Sequence, residues 1–263
     1  MRVDPERVTI QAYPGRVFMH GGWRYKIHDW NADDLARRSW LACDVDDVHS
    51  RTWRIRTPTV SRMRADGDPV VIRSHQGLLL KRVSIALEYE EEVSGVLRLE
   101  WDVSSGTRRL QESRLVRPLA APAFPTSGVA LIFQADSGVP GPDVATLSSL
   151  CAALGYVLPV HVGVEEDAIE VVALSSRHID TTRIDGVAIV DLYPTGIGLV
   201  EAFRQDDNLI VHLLECTRSW LAATVRRSAA QAADLRHAPL GRASRNELDA
   251  TAALDLLVRV LGP

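Results

Sequence analysis

Val190-Asp191-Leu192-Tyr193-Pro194-Thr195-Gly196-Ile197-Gly198-Leu199-Val200-Glu201-Ala202-Phe203 takes the chain from an apolar run, through a Pro/Gly turn, into helical spacing. The run that enters it, from Gly186 to Leu192, reads as a strand. Pro194, Gly196 and Gly198 punctuate the turn, and Gly198 to Phe203 starts a helix. A turn of this kind exposes backbone N–H groups at a helix start, where an anion such as a DNA phosphate can bind. Tyr193, Pro194, Gly196 and Gly198 are therefore candidate anion-binding residues. The segment lacks the third glycine and the βαβ context of a dinucleotide site. The plainer reading is that its glycines let the backbone turn tightly and seat the helix on a sheet.

Strand and helix signals mix around this turn. Ahead of it, 128–133 and 168–174 read as strands, and 143–155 reads as a helix ending at Gly155. Behind it, 209–235 reads as a long amphipathic helix and 246–261 as a last one, with Leu248, Ala252, Leu256 and Val260 on one stripe. The first half is rich in strands. Arg16 to His20 and Trp23 to Ile27 flank Gly21-Gly22, a hairpin signal. Further strands are expected at 35–44, 51–60, 69–72, 78–87 and 93–101, with the acidic run Glu88-Tyr89-Glu90-Glu91-Glu92 as a solvated turn. Trp53-Arg54-Ile55-Arg56-Thr57 alternates, which predicts one buried face and one bearing guanidinium groups. Pro118, Pro122 and Pro125 mark a connection, so the domains are expected at 1–122 and 123–263. The fold class is α+β: an N-terminal antiparallel β-rich, barrel-like module, then an α/β module with a long C-terminal helix pair.

Net charge is −4, unevenly placed. Residues 1–64 carry 12 Arg/Lys against 8 Asp/Glu, and residues 125–263 carry 10 against 17. The basic excess coincides with Trp23, Tyr25, Trp30, Trp40 and Trp53, and almost all of it is arginine, which binds phosphate in a two-pronged manner. The acidic remainder confines any nucleic-acid site to a local patch. The expectation is a cytoplasmic protein with no membrane span and no secretion segment. Cys43, Cys151 and Cys216 lie far apart, which argues against a disulfide framework or a thiolate zinc site.

Motifs for chemistry are missing. There is no GxxxxGK[ST], so an ATP motor has no phosphate loop here, and neither HExxH nor GxSxG occurs. The eight histidines show no metal-ligand spacing. Glu165, Glu166 and Asp167, set beside Glu170 and Asp191, allow a metal-dependent nuclease reading, although carboxylates preceding a strand more often form a solvated turn. No catalytic residue, cofactor or metal is expected.

Three stretches carry a resemblance. Tyr193-Pro194-Thr195-Gly196-Ile197-Gly198-Leu199 resembles the Tyr-Pro-Gly-Gly-x-Gly-Leu element in the C-terminal domain of a family of superfamily II DNA helicases, with Thr195 in place of a glycine. That family includes the bacterial mitomycin-repair helicases and Hrq-type RecQ-like enzymes, and related domains occur in anti-phage defence systems. Tyr13-Pro14-Gly15-Arg16-Val17-Phe18-Met19-His20-Gly21-Gly22-Trp23-Arg24-Tyr25 resembles the hairpin that follows the family's motor domains. Asn246-Glu247-Leu248-Asp249, followed by Ala252-Ala253-Leu254-Asp255-Leu256-Leu257, resembles its final helix. The family's four-cysteine zinc cluster has no counterpart, since the interval 226–245 contains no cysteine.

The resemblance implies a non-catalytic accessory subunit of a DNA helicase, or of a repair or anti-phage complex. Its partners would be a separately encoded motor or defence-complex subunits, with DNA as a further partner. Arg24, Arg54 and Arg56 are the candidate phosphate contacts, and Trp23 and Tyr25 the candidate base-stacking residues. Alternatives are a protein–protein scaffold without nucleic-acid contact, or the carboxylate nuclease.

Overall fold

The structure, a computed structural model, describes residues 7–30, 41–45, 50–102, 104–136, 138–164, 167–226 and 249–262. The chain forms two compact units, Met1–Pro58 with Glu90–Ala123, and Thr59–Tyr89 with Phe124–Pro263. Strands β4 (Ser50–Ala65) and β6 (Leu78–Asp102) each supply residues to both units. The expected single boundary near 122 is thus one of three places where the chain passes between them, and 59–89 groups with the C-terminal residues. Every strand pairing described is antiparallel, which together with the helices makes the fold α+β.

In the first unit, β1 (Val17–His20), β2 (Trp23–Trp30) and β3 (Leu41–Val45) form a three-stranded sheet in that order. β6 pairs with β7 (Thr107–Ala120) across a turn at 104–106. The Asp102 carboxylate accepts the Ser104 N–H at 2.9 Å and both serine hydroxyls of this turn. A short helix, α1 (Val8–Gln11), packs Val8 into a small core with Tyr13, Ile27, Val93, Val96 and Leu119.

The run Glu88–Glu92 is not a turn but the middle of the 25-residue β6. Period-2 alternation survives the charges, because Tyr89 and Glu91 are buried while Glu90 and Glu92 face outward. Glu91 is only 3% exposed, and two arginines described below face its carboxylate. The proline-marked connection is also short: Pro118 lies in β7 and Pro125 in β8 (Phe124–Ala135), leaving 121–123 between them.

In the second unit the strand order is β4-β6-β8-β10-β9, with β5 (Val70–His75) beside β6; β9 is Ile169–Ile179 and β10 is Thr182–Asp191. Alternate residues of these strands, among them Leu78, Leu80, Val129, Leu131, Val187 and Ile189, share one core with the helices. The helices are α2 (Val144–Val162), α3 (Glu201–Gln205), α4 (Asp207–Arg226) and α5 (Ala250–Leu261). Their contribution comes mainly from Leu147, Leu150 and Leu154 of α2, Leu213 and Leu214 of α4, and Leu256 and Leu257 of α5.

α2 runs past Gly155, where the sequence suggested an end. It tolerates Pro159 in its last turn and stops at Gly163, a left-handed cap whose N–H donates to Pro159 O at 2.9 Å. At 19 residues it has the length and apolarity of a membrane span, and 56% of its 18-residue apolar window is buried within the fold. α5 begins at Asp249, whose carboxylate accepts the N–H groups of Thr251 and Ala252, both at 2.9 Å. The Asp249 N–H in turn donates to the Ser149 hydroxyl of α2 at 2.7 Å. The expected stretches 227–235 and 246–248 lie outside the described residues, as do Trp40, Glu165 and Glu166.

Candidate nucleic-acid interface

The β1–β2 hairpin turns at Gly21 (φ +57°) and Gly22 (φ +81°). Positive φ at both central residues gives a turn whose twist matches the flanking strands. Its register pairs His20 with Trp23, Met19 with Arg24, Phe18 with Tyr25, and Val17 with Lys26. Directly opposed residues share a face. One face therefore carries Phe18, His20, Trp23 and Tyr25, and the other carries Met19, Arg24 and Lys26.

The two faces differ in chemistry. Phe18 and Tyr25 stack with ring centroids 5.7 Å apart and planes at 25°, and His20 tilts against Tyr25 at 6.5 Å. Trp23, at the tip, is 64% exposed, and Met19 across the hairpin is 65% exposed. Ile27, further down β2, is fully buried and anchors the hairpin in the core of its unit. Beside it opens a cleft of about 280 Å³ lined by Gly15, Lys26, His28, Arg98, Gln111 and Ser113 among others. Arg98 Nε lies 3.0 Å from Glu100, whose other oxygen accepts from Gln111 Nε2 at 3.0 Å. Lys26 and Arg98 together outweigh this one carboxylate. Neither residue was singled out from the sequence, since Lys26 and Arg98 sit 72 positions apart and only the packing of the hairpin beside β6 gathers them.

Arg54 and Arg56 require a correction. They are 4% and 6% exposed, and their Nε atoms lie 2.9 and 3.8 Å from the two oxygens of Glu91. The alternation in β4 is real, but it is the guanidinium face that turns inward, because Glu91 on β6 supplies a buried countercharge. Of the five residues proposed from sequence, Trp23, Arg24 and Tyr25 remain together on one hairpin, and Arg54 and Arg56 are committed elsewhere.

The turn from Tyr193 to Gly198 bends between β10 and α3 as expected, and it already has its anion. Asp191 is fully buried. Its Oδ1 accepts the Tyr193 N–H at 3.0 Å, and its Oδ2 accepts those of Ile197 at 2.8 Å and Leu199 at 3.3 Å. Thr126 Oγ1 donates to the carbonyls of Asp191 and Tyr193, at 2.7 and 3.1 Å, tying the turn to β8. Thr195 and Gly196 both take left-handed φ, +67° and +70°. A Cβ on Gly196 would lie 2.7 Å from the Ser127 hydroxyl, so glycine is needed there for space as well as for φ. The anion site read from sequence is therefore filled by the chain's own carboxylate. The same bonds engage both Asp191 oxygens.

No family model matches the chain, and no curated protein matches it. Among solved structures it is similar to a DUF1998 helicase. The crystal structure of the DUF1998 helicase MrfA bound to DNA is 14% identical, with 97% of this chain covering 31% of that one at a TM-score of 0.48. The structure of MrfA bound to DNA and AMPPNP is also 14% identical, with 97% of this chain covering 28% of that one at a TM-score of 0.38. The chain thus spans less than a third of these structures.

The histidines, read from sequence as scattered, are not all so. His161, in the last turn of α2, and His212 and Cys216 of α4 place one ligand atom each within 4.8 Å of one another. The rings of His161 and His212 have centroids 4.9 Å apart. Burial, and then the neighbouring His212, hold the His161 imidazole below its ordinary pKa. The four-residue spacing of His212 and Cys216 on a helix was the available sequence signal.

Proposed function

We propose that this chain is a non-catalytic accessory piece that works beside a separately encoded DNA helicase motor and guides single-stranded nucleic acid along its β1–β2 hairpin. The observation that carries the reading is the two-faced hairpin. Stacking rings with Trp23 exposed at the tip stand on one face, and Arg24 and Lys26 on the other. Single strands bind through aromatic platforms and cationic groups, because every base offers a π-face and every linkage a phosphate. Two features lend support. The three stretches resembling the helicase C-terminal domain include this hairpin, and the Tyr193–Leu199 element makes the strand–turn–helix bend that the resemblance requires.

Strand separation tests the motor half of the proposal. A motor of this helicase family, encoded on its own chain, is assayed on a forked duplex with and without this protein. Stimulation that is reduced in Trp23→Ala supports the reading, and no effect at saturating protein contradicts it. Stable association with the motor and no binding to DNA would instead favour a scaffold, a reading to which the inward-turned Arg54 and Arg56 lend weight.

A further inference from the structure

We propose that His161, His212 and Cys216 bind one zinc ion that ties α2 to α4, with water in the fourth position. The placement follows from the helix pair. Tyr156 stacks on Trp220 with centroids 4.9 Å apart, and His161 meets His212 at the same separation, so the two helices run antiparallel and side by side. On α4, residues four apart share a face, which brings Cys216 beneath His212. Cys216 Sγ lies 3.9 Å from His212 Nε2, and the three donors fall within 4.8 Å of one another.

Zinc–nitrogen bonds of about 2.0–2.1 Å and zinc–sulfur bonds of about 2.3 Å at tetrahedral angles require donor separations of roughly 3.3–3.7 Å. The observed spacing therefore needs a contraction of at most about 1.5 Å, within the reach of rotation about the side-chain bonds of His161 and His212. Two imidazoles and a thiolate form a borderline-soft donor set, suited to zinc and unsuited to magnesium or calcium, which take oxygen ligands. His161 and Cys216 are half-buried and His212 is exposed, so an ion has an entry path and keeps one solvent-facing position. Three protein ligands and a water is the coordination pattern of zinc sites that keep one open position, rather than of closed four-ligand structural sites. The site is independent of the hairpin and stands or falls apart from the nucleic-acid reading.

The full chain, stripped with a chelator and kept reduced, is titrated with Co²⁺ and then with Zn²⁺. One equivalent of Co²⁺ should produce thiolate-to-cobalt charge-transfer absorption and the intense visible bands of four-coordinate cobalt, and Zn²⁺ should abolish both. Cys216→Ser should lose the charge-transfer band, while Cys151→Ser keeps it. His212→Gln, at an exposed position that leaves the fold intact, should weaken binding by more than the roughly tenfold that loss of an outer-shell partner costs. Absence of the band in the unaltered protein overturns the proposal. So does a band that survives Cys216→Ser, or equal affinity in His161→Gln, His212→Gln and the unaltered chain.

Discussion

Asp191 Oδ2 accepts the N–H of Ile197, six residues further along, at 2.8 Å. With the bonds to Tyr193 and Leu199, one buried carboxylate holds the whole strand-to-helix turn. Charge-assisted hydrogen bonds contribute about 1.5–3 kcal/mol each, and contributions from a single carboxylate do not add fully. Asp191→Ala should therefore cost about 3–4 kcal/mol in urea unfolding. Asp191→Asn, which keeps one acceptor, should cost less. Equal losses in the two variants would mean that shape rather than charge fixes the turn.

Thr195 sits in the same turn at φ +67°. A left-handed conformation costs an L-residue about 1–2 kcal/mol, and the added freedom of glycine in the unfolded chain offsets about 0.5–1 kcal/mol of any relief. Thr195→Gly should raise stability by roughly 0.5–1 kcal/mol, seen as a higher urea midpoint at unchanged slope. A lower midpoint would show that the Thr195 hydroxyl bond to Pro194 O outweighs the backbone term.

Glu91 offers a sharper test of the buried charges. Removing one partner of a buried ion pair typically costs about 3–5 kcal/mol, while replacing the whole group with apolar residues is often neutral. Glu91→Gln should destabilise strongly, and the triple change Arg54→Met, Arg56→Leu, Glu91→Leu should recover most of that loss. No recovery would mean that the arginines have a role beyond balancing Glu91.

These residues also show where sequence reading succeeds and where it stops. The Gly21-Gly22 hairpin and the bend after Asp191 were legible because their cause is local: glycines at positions that need positive φ. The sequence breaks β6 in two, because Glu88–Glu92 looks like a solvated run unless Arg54 and Arg56 from a distant strand meet Glu91. The same missing partner sent the β4 guanidinium groups to the wrong side. Sequence spacing ends α2 at Gly155 because glycine is a helix breaker by propensity, and burial against β9, α4 and α5 overrides it. The cleft of Lys26 and Arg98 and the cluster of His161 with His212 depend on tertiary packing alone.

α2 carries a pH-dependent cap. Asp143 Oδ1 accepts the Thr146 N–H at 2.7 Å, and this bond holds its carboxyl below the usual aspartate value. A depressed folded-state pKa stabilises above the unfolded value and is lost as pH falls through the folded one. Asp143→Ala should cost about 1 kcal/mol at neutral pH. The difference from the unaltered chain should shrink as pH drops below the ordinary aspartate range of about 4. A difference that stays constant down to pH 2 would assign the effect to packing instead.

The hairpin is tested most directly by titrating the protein with a fluorescently labelled single-stranded oligonucleotide at several salt concentrations. Contacts from Arg24 and Lys26 predict that the logarithm of affinity falls linearly with the logarithm of salt, with a slope of about −0.7 per phosphate neutralised. Trp23→Ala should weaken binding by about 1–3 kcal/mol without changing that slope, and Lys26→Ala should make the slope shallower. Undetectable binding at low salt, or affinity indifferent to both salt and Trp23, would contradict the assignment of this hairpin to nucleic acid.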